Sequence, residues 1–395
     1  MKRNLGAGTL SPSGISLLFG DQRKKRILAL LRQRGPMTRA DLSRATGIAK
    51  SSISLLVDQL AQARSVQIIR ATSSNRSKSV RGRPGELVEI DPSSGAAIGI
   101  EFAVGKVRAV IGDLSHEILA EIELSVPANY GSDIALQTAE SMVSHLLSIT
   151  RITPSRILGI GIGIPTAIYE DIEVSESFNP TLLTPDLSNQ LSELTGFSTS
   201  IENSANLAAY AELLWGAGLG ETDFLFFKTD NLVGGAIVMN HEVITGSMGG
   251  VGEFGHLILN PNGNVCRCGQ RGCLDTYSSI QAMTSSASIA LGLEVDNVQL
   301  KALIEKNDSV AVRILDDAAE KLGEAAATLS RVINPDCVIF SGEALELHPD
   351  FLRKISEGFD ARTMSINAHV RIIRGNLGNQ AAALGGVALI LGQVK

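Results

Sequence analysis

The sequence predicts a chain in two parts: a small helical unit closed by a β-hairpin, then a large α/β unit made of two lobes. Three observations carry that expectation. Charge divides sharply near residue 90: residues 1–90 hold 17 Lys/Arg against Asp21, Asp41, Asp58, Glu86 and Glu89, a net of +12. The remaining 305 residues hold 18 basic and 36 acidic side chains, a net of −18 within an overall −6. Apolar spacing also changes, from helical periods ahead of the boundary to short apolar strands alternating with helical stretches from Ala96 onward. Finally, three of the four cysteines crowd into CRCGQRGC.

The size, 395 residues with 44% hydrophobic and 19% charged, suits two or three packed domains and excludes a disordered, collagen-like or disulfide-framed chain. No apolar run approaches the roughly 20 residues of a membrane-spanning helix. Lys2 and Arg3 lead into a Gly/Ser-rich stretch in which only Ile15 to Phe19 cluster, too weak for a signal peptide. A soluble, cytoplasmic protein without a membrane partner is expected, with residues 1–20 as a flexible arm.

Gln22 to Arg34 places Ile27, Leu28, Leu30 and Leu31 at helical spacing, and Gly35-Pro36 stops the helix. Thr38 reads as the N-cap of a second helix, Arg39 to Thr46, ended by Gly47. A third starts near Ala49 or Lys50, with Ile53, Leu56, Val57 and Leu60 on one face. Three short helices with a glycine turn before the third fit a helix-turn-helix. Strand Val66 to Arg70, a basic tip from Thr72 to Val80 and strand Glu86 to Ile90 add a wing. Residues 21–90 therefore read as a winged helix-turn-helix that binds double-stranded operator DNA. Lys50, Ser51, Ser52 and Ser54 open the recognition helix, Arg39 adds a contact, and Arg81 and Arg83 are suited to a narrow minor groove.

From Ala96, AAIGIEF, KVRAVIG and HEILAEIEL read as three consecutive strands, followed by helix Ser132 to Ile149 and strand Ile157 to Ile164. Strand Ser200 to Glu202, helix Ala205 to Trp215 and strands Phe224 to Lys228 and Ala236 to Asn240 come next. The tail adds helix Val310 to Ile333, strands Cys337 to Phe340 and Val370 to Ile373, and helix Asn379 to Leu391. A strand triplet followed by α/β alternation, seen twice, predicts two related lobes with a cleft between them. Lobe one takes about 91–200 plus the helix at 379–392, and lobe two about 201–378.

Cys266, Cys268 and Cys273, with His256 ten positions upstream of the first, make a Cys₃His set suited to tetrahedral zinc in a reducing compartment. Disulfide pairing is the alternative, and it leaves one of the three unpaired. Four protein ligands leave no open position, so such a zinc is structural. Cys337 lies in an apolar strand and reads as core.

GGVGEFGHLILNPNG followed by CRCGQRGCLD resembles the zinc-and-sugar signature of the ROK family of sugar kinases and sugar-responsive repressors. The resemblance runs from about residue 96 to 392. The basic unit ahead of it resembles the repressor branch, to which the N-acetylglucosamine and xylose repressors belong. It implies a two-lobed actin-like ATPase fold of the RNase H-like class, and a homodimer or dimer of dimers. It also implies sugar contacts from Asn203, Glu253 and His256, from Asn179, and from Asp275, which stands where the family usually has Glu. His256 would then serve zinc through one ring nitrogen and the sugar through the other.

Against the family's kinases three departures stand out. The first phosphate turn reads Glu101-Phe102-Ala103-Val104-Gly105, where an Asp-x-Gly-Gly-Thr turn would grip ATP through backbone N–H groups. The second reads Asp230-Asn231-Leu232-Val233-Gly234, with only the last glycine kept, and the adenosine-side glycines read Ser341-Gly342-Glu343. Ser204 stands where the kinases carry the Asp that accepts the sugar hydroxyl proton, a base worth roughly 10²–10⁴ in rate. These readings predict no enzyme and no bound ATP. They favour a sugar-responsive transcriptional regulator, most simply a repressor, sensing a sugar or sugar phosphate and nucleoid-associated when on DNA. An ATP-dependent sugar kinase with a DNA-binding domain and a ligand-independent DNA-binding dimer are the alternatives.

Overall fold

The structure is a computed structural model that describes residues 22–62, 65–70, 86–115, 117–165, 187–247 and 249–393. The arm at 1–20, the basic tip, Arg81, Arg83 and Asn179 lie outside the described residues.

Three helices open the chain, α1 (Gln22–Arg34), α2 (Arg39–Thr46) and α3 (Lys50–Gln62). The capping residues act as the sequence predicts. The Thr38 hydroxyl accepts the Asp41 N–H at 3.1 Å, and Gly47 ends α2 in the left-handed region at φ 72°. Strands β1 (Val66–Arg70) and β2 (Glu86–Ile90) pair antiparallel, Val66 opposite Ile90. Ile27, Leu31, Leu42, Ile53, Val57, Leu60 and Val88 are buried together.

The first sheet joins β3 (Ala96–Ala103), β4 (Lys106–Asp113), β5 (Ile118–Ser125), β6 (Ile157–Ile164) and β7 (Thr199–Asn203) in the order β5-β4-β3-β6-β7. The second joins β8 (Phe224–Thr229), β9 (Val233–Met239), β10 (Glu242–Ile244), β11 (Cys337–Ser341) and β12 (Arg371–Arg374) in the order β10-β9-β8-β11-β12. Each is an antiparallel triplet followed by two parallel strands, so the repeat read from the sequence is a repeat of topology. β7 pairs with β6 through Asn203, so the first sheet extends three residues past the boundary read at 200. The parallel pairing, covered on both faces, accounts for the unbroken apolar run of β6.

Helices α4 (Ser132–Thr150) and α5 (Leu187–Thr195) cover the outer face of the first sheet. Helices α8 (Ile280–Leu291), α9 (Asn297–Glu305), α10 (Ser309–Ile333) and α11 (Phe351–Asp360) cover the outer face of the second, beyond the short α7 (Asp275–Ser278). Between the sheets lie α6 (Ser204–Trp215) and α12 (Ala381–Gln393). α12 approaches the first sheet closely because glycines permit it: a Cβ at Gly99 would sit 1.7 Å from the Ala383 carbonyl oxygen. Apolar packing continues from the N-terminal unit through Ile90 to Leu114, Val387 and Leu391, joining that unit to α12.

Candidate functional site

Between the sheets lies a cleft open to solvent. Its walls come from the β3–β4 turn, the N-terminus of α6, the β8–β9 turn and the loop after β10, with residues as distant as Glu101, Asn203, Gly234, Glu253, Arg267 and Glu343.

At one end stand the two turn segments that differ from the kinase pattern, and they are bonded to each other. Asn231 Nδ2 donates to the Val104 carbonyl at 3.3 Å. Around this contact charged side chains form a lattice across the lobes. Arg108 of β4, 1% exposed, reaches Glu101 at 3.1 Å, Glu123 at 2.7 Å and Glu343. Lys106 meets Glu343 at 2.7 Å, and Lys228 of β8 meets Glu101 at 2.8 Å and Asp230. The Glu343 N–H donates to Asp230 at 2.7 Å, so the Ser341-Gly342-Glu343 segment closes onto the same group.

Desolvation opposes the charge on Arg108, but Glu101, Asp230 and Glu343 outweigh it and raise its pKa. Lys228 is raised in the same way by Asp230 and Glu101. Burial works to raise the Asp230 carboxyl, yet Lys228 holds it below its ordinary value. Four carboxylates against three cations leave no surplus positive charge for a polyphosphate.

The other end is built on α6 and the cysteine loop. Asn203 lines the cleft, and its Oδ1 caps α6 by accepting the N–H groups of Ala205 and Asn206 at 2.7 and 3.3 Å. Ser204 begins the helix, buried and facing the cleft. Burial raises the carboxyl pKa of Glu202 behind it, which accepts from the Asn203 N–H and Asn206 Nδ2. Glu253 lines the cleft as well, 3.9 Å from His256 Nε2, while His256 Nδ1 faces Cys266 Sγ at 3.5 Å. One ring nitrogen thus faces Glu253 and the other Cys266.

The ligand atoms of His256, Cys266, Cys268 and Cys273 lie within 4.8 Å of one another, and Cys268 Sγ is 3.7 Å from Cys273 Sγ. This group can hold a metal ion. The loop owes its shape to tight turns. Gly272, at φ 69°, passes so near Asn260 that a Cβ would fall 1.6 Å from its carbonyl oxygen. Burial, together with its two thiol neighbours, pushes the Cys273 thiol up to about 12.

Asp275, expected among the sugar contacts, is buried with Oδ1 accepting the Val233 N–H at 2.8 Å. Its second oxygen faces Arg267 at 3.9 Å, and it is Arg267 that lines the cleft. The family's longer Glu would reach further; one methylene fewer leaves Asp275 on the backbone of β9. Arg267, unassigned in the sequence reading, was signalled by its place between Cys266 and Cys268. In the N-terminal unit Lys50 and Ser51 are exposed on the first turn of α3, with Ser52 and Ser54 half-buried. Arg39 bonds Asp58 of α3 at 2.7 Å, which holds α2 against α3 and leaves less of its guanidinium for DNA.

The ROK family model matches residues 97–393, three-quarters of the chain. The chain belongs to the ROK family. The xylose repressor of Bacillus subtilis is 26% identical over 369 residues, covering 93% of this chain and 94% of that protein. A glucokinase of Halalkalibacterium halodurans is 27% identical over 312 residues, covering 74% of this chain and 94% of its own length. A solved ROK-family transcriptional regulator, described as a homologue of the Escherichia coli MLC protein, superposes with TM-score 0.74 at 22% identity, over 94% of this chain and 96% of that one. That likeness shows the fold. The xylose repressor match covers 93% of this chain and the glucokinase match 74%.

Proposed function

We propose that this ROK protein is a sugar-responsive transcriptional repressor whose N-terminal winged helix-turn-helix binds operator DNA. The single observation that carries the reading is the cross-lobe lattice of Glu101, Arg108, Lys228 and Glu343 at the phosphate-turn segments, beside a sugar end that keeps Asn203 and Glu253. With Ser204 at the position of the family's base, the arrangement supports recognition of a sugar without phosphoryl transfer. The repressor relatives, matched along nearly their whole length, support the same reading.

Zinc suits the four-ligand group. Tetrahedral zinc with Zn–S near 2.3 Å requires sulfur–sulfur edges of about 3.7 Å, and Cys268 and Cys273 stand 3.7 Å apart. When bound, zinc supplies a fixed structural node and no reactive position. His256 is then held so that its other nitrogen faces Glu253 and the cleft.

Asn203 and Ser204 begin α6, α6 packs on α12, and α12 shares apolar packing with the N-terminal unit. A sugar that closes the lobes on α6 is thereby coupled to the DNA-binding helices. A coupling of about 1–3 kcal/mol changes operator affinity 5–150-fold. Lys50 and Ser51, with Ser52 and Ser54, present the DNA-facing turn of α3, and the sequence reading adds Arg81 and Arg83 as minor-groove contacts. Two-fold operators call for a homodimer or dimer of dimers. Among the described residues no helix is long and apolar enough to cross a membrane, in keeping with a cytoplasmic regulator.

Thermal unfolding of the zinc-loaded protein against aldoses, amino sugars and sugar phosphates, each with and without Mg-ATP, tests the reading. A ligand at 100 times its Kd adds about 2.7 kcal/mol of stability. A shift with one sugar, lost in Glu253→Gln and absent with nucleotide, is the expected result. A nucleotide shift with sugar-dependent ADP formation would establish the kinase reading that the glucokinase relative favours. DNA affinity unchanged by every sugar would leave a ligand-independent DNA-binding dimer.

A further inference from the structure

Helix α3 buries Ile53, Leu56, Val57 and Leu60 and turns its opposite side to solvent. Leu55 stands on that opposite side, 60% exposed, while its neighbour Leu56 is 3% exposed. At about 100° per residue it shares a face with Ser51, one turn earlier, and with Asp58 and Gln59, one turn later. All three are exposed. A single exposed leucine on an ordinary surface helix needs no explanation. This one lies in the second turn of the helix proposed above to enter the major groove, where an outward side chain meets base edges.

The composition of those first two turns limits what they can read. Guanine is read chiefly by Arg or Lys, adenine by Asn or Gln, and cytosine by an acid. From Lys50 to Val57 there is no Arg, Asn, Gln, Asp or Glu, and the one cation, Lys50, is the first residue of the helix. Ser51, Ser52 and Ser54 bring hydroxyls, which donate or accept and so discriminate little. Leu55 is the outward side chain with a sharp preference, because the apolar feature of the major groove is the 5-methyl group of thymine. Charge complementarity favours DNA as what covers it: residues 1–90 hold 17 basic side chains against five acids. Asp58, the acid of α3, is matched by Arg39 at 2.7 Å, so it does not stand bare before the phosphates.

We propose that Leu55 is a specificity-determining residue of the DNA site, packing on the 5-methyl group of one thymine in each half-site. This rests on the operator-binding reading above and names what the recognition helix reads. The short serines around Leu55 let the helix backbone approach the groove, so a leucine reaches the methyl that a taller neighbour would hold off. Cytosine at that place lacks the methyl and presents an N4 amino donor that leucine cannot satisfy. Arg39, tied to Asp58, acts here as a positioning residue rather than a base contact.

The test begins with selection of binding sites from a random duplex library by the full-length protein. Each thymine of the enriched duplex is then replaced by deoxyuridine, one at a time, and affinity is read by fluorescence anisotropy. At one thymine per half-site, loss of the methyl should weaken the native protein about 3- to 10-fold, the range for burying one methyl group. Leu55→Ala, well suited to an exposed helical position, should lose at least that factor on the thymine duplex and be indifferent to deoxyuridine there. Its salt dependence should match that of the native protein, because no phosphate contact changes. Leu55→Ala binding the selected duplex as tightly as the native protein would overturn the proposal and leave operator binding standing. So would an equal loss on the thymine and deoxyuridine duplexes at every position, the mark of a purely structural role. If no duplex were enriched, the operator-binding reading would fall and this inference with it.

Discussion

Arg108→Met removes the centre of the cross-lobe lattice with a side chain of similar reach. Its cost follows from what the carboxylates keep. Glu101, 1% exposed, retains Lys228 at 2.8 Å, and Glu343 retains Lys106 at 2.7 Å. Glu123, 46% exposed, turns to water. Removing one partner of a buried ion pair costs about 3–5 kcal/mol when the other charge is stranded. Here each buried acid keeps a cation, so the lower end, about 3 kcal/mol, is expected. The same change at the rim, Glu123→Gln, touches a half-exposed pair and should cost about 0–1 kcal/mol. Trp215, the sole tryptophan, ends α6 between the sheets, so its fluorescence follows urea unfolding of the lobes. At a slope of about 3 kcal/mol per M, Arg108→Met should lower the midpoint by about 1 M. A double-mutant cycle with Glu343→Gln should return a coupling well above 0.5 kcal/mol, beyond ordinary additivity error. If Arg108→Met cost no more than Glu123→Gln, the lattice would be a desolvation burden rather than a tie between lobes.

Three further outcomes are expected. If the Cys₃His group holds zinc as proposed, metal analysis should find about one zinc per chain, and its chelation, or Cys268→Ala, should lower the melting temperature and abolish the proposed sugar response together, read by calorimetry. Glu212→Ala should destabilise by about 3 kcal/mol or more in urea, because its buried carboxylate accepts the N–H groups of Ala217, Asn376 and Leu377 at 2.6, 3.1 and 2.9 Å, and stranding them costs about 1–3 kcal/mol each. The Asp230 carboxyl is held below its ordinary 3.8, so its contribution is complete above that pH and is lost as pH falls through the lower folded value. Asp230→Asn should flatten that acid limb in a pH series of unfolding midpoints.

Much of this was legible because it is local. Thr38 and Gly47 bracket α2 by their own chemistry, and the apolar run Ile157–Ile164 is a strand with both faces covered. The cysteine group was legible because four ligand residues lie within 18 positions of chain, His256 to Cys273. β9 begins at Val233 rather than Ala236 because Gly234-Gly235 weakens the strand signal while the pairing with Thr229 and Lys228 enforces it. Helix α11 carried a signal that went unused, Phe351, Ile355 and Phe359 at four-residue spacing. The lattice was not legible at all. Glu101 and Arg108 announce themselves only as charges inside apolar strands, and the partner of Arg108 lies 235 residues away at Glu343. No local period encodes that distance.

On the proposed reading, the position of the lattice accounts for a ROK fold that works without a nucleotide. The two segments that the resemblance reads as phosphate turns meet at this end of the cleft. Here the same segments carry Ala103, Val104 and Asn231, and Asn231 bonds the Val104 carbonyl directly. Lys228 to Glu101 and Arg108 to Glu343 then make, within the protein, the cross-lobe bridges that a bound nucleotide would otherwise make. Lys106 to Glu343 adds a further tie, so the contacts at this end are made by the chain's own side chains. At the opposite end Asn203, Ser204, Glu253 and Arg267 line the cleft where α6 begins. On the proposed reading, a small ligand seated at this end would act on α6, and through α12 on the N-terminal helices, without having to pull two free lobes together.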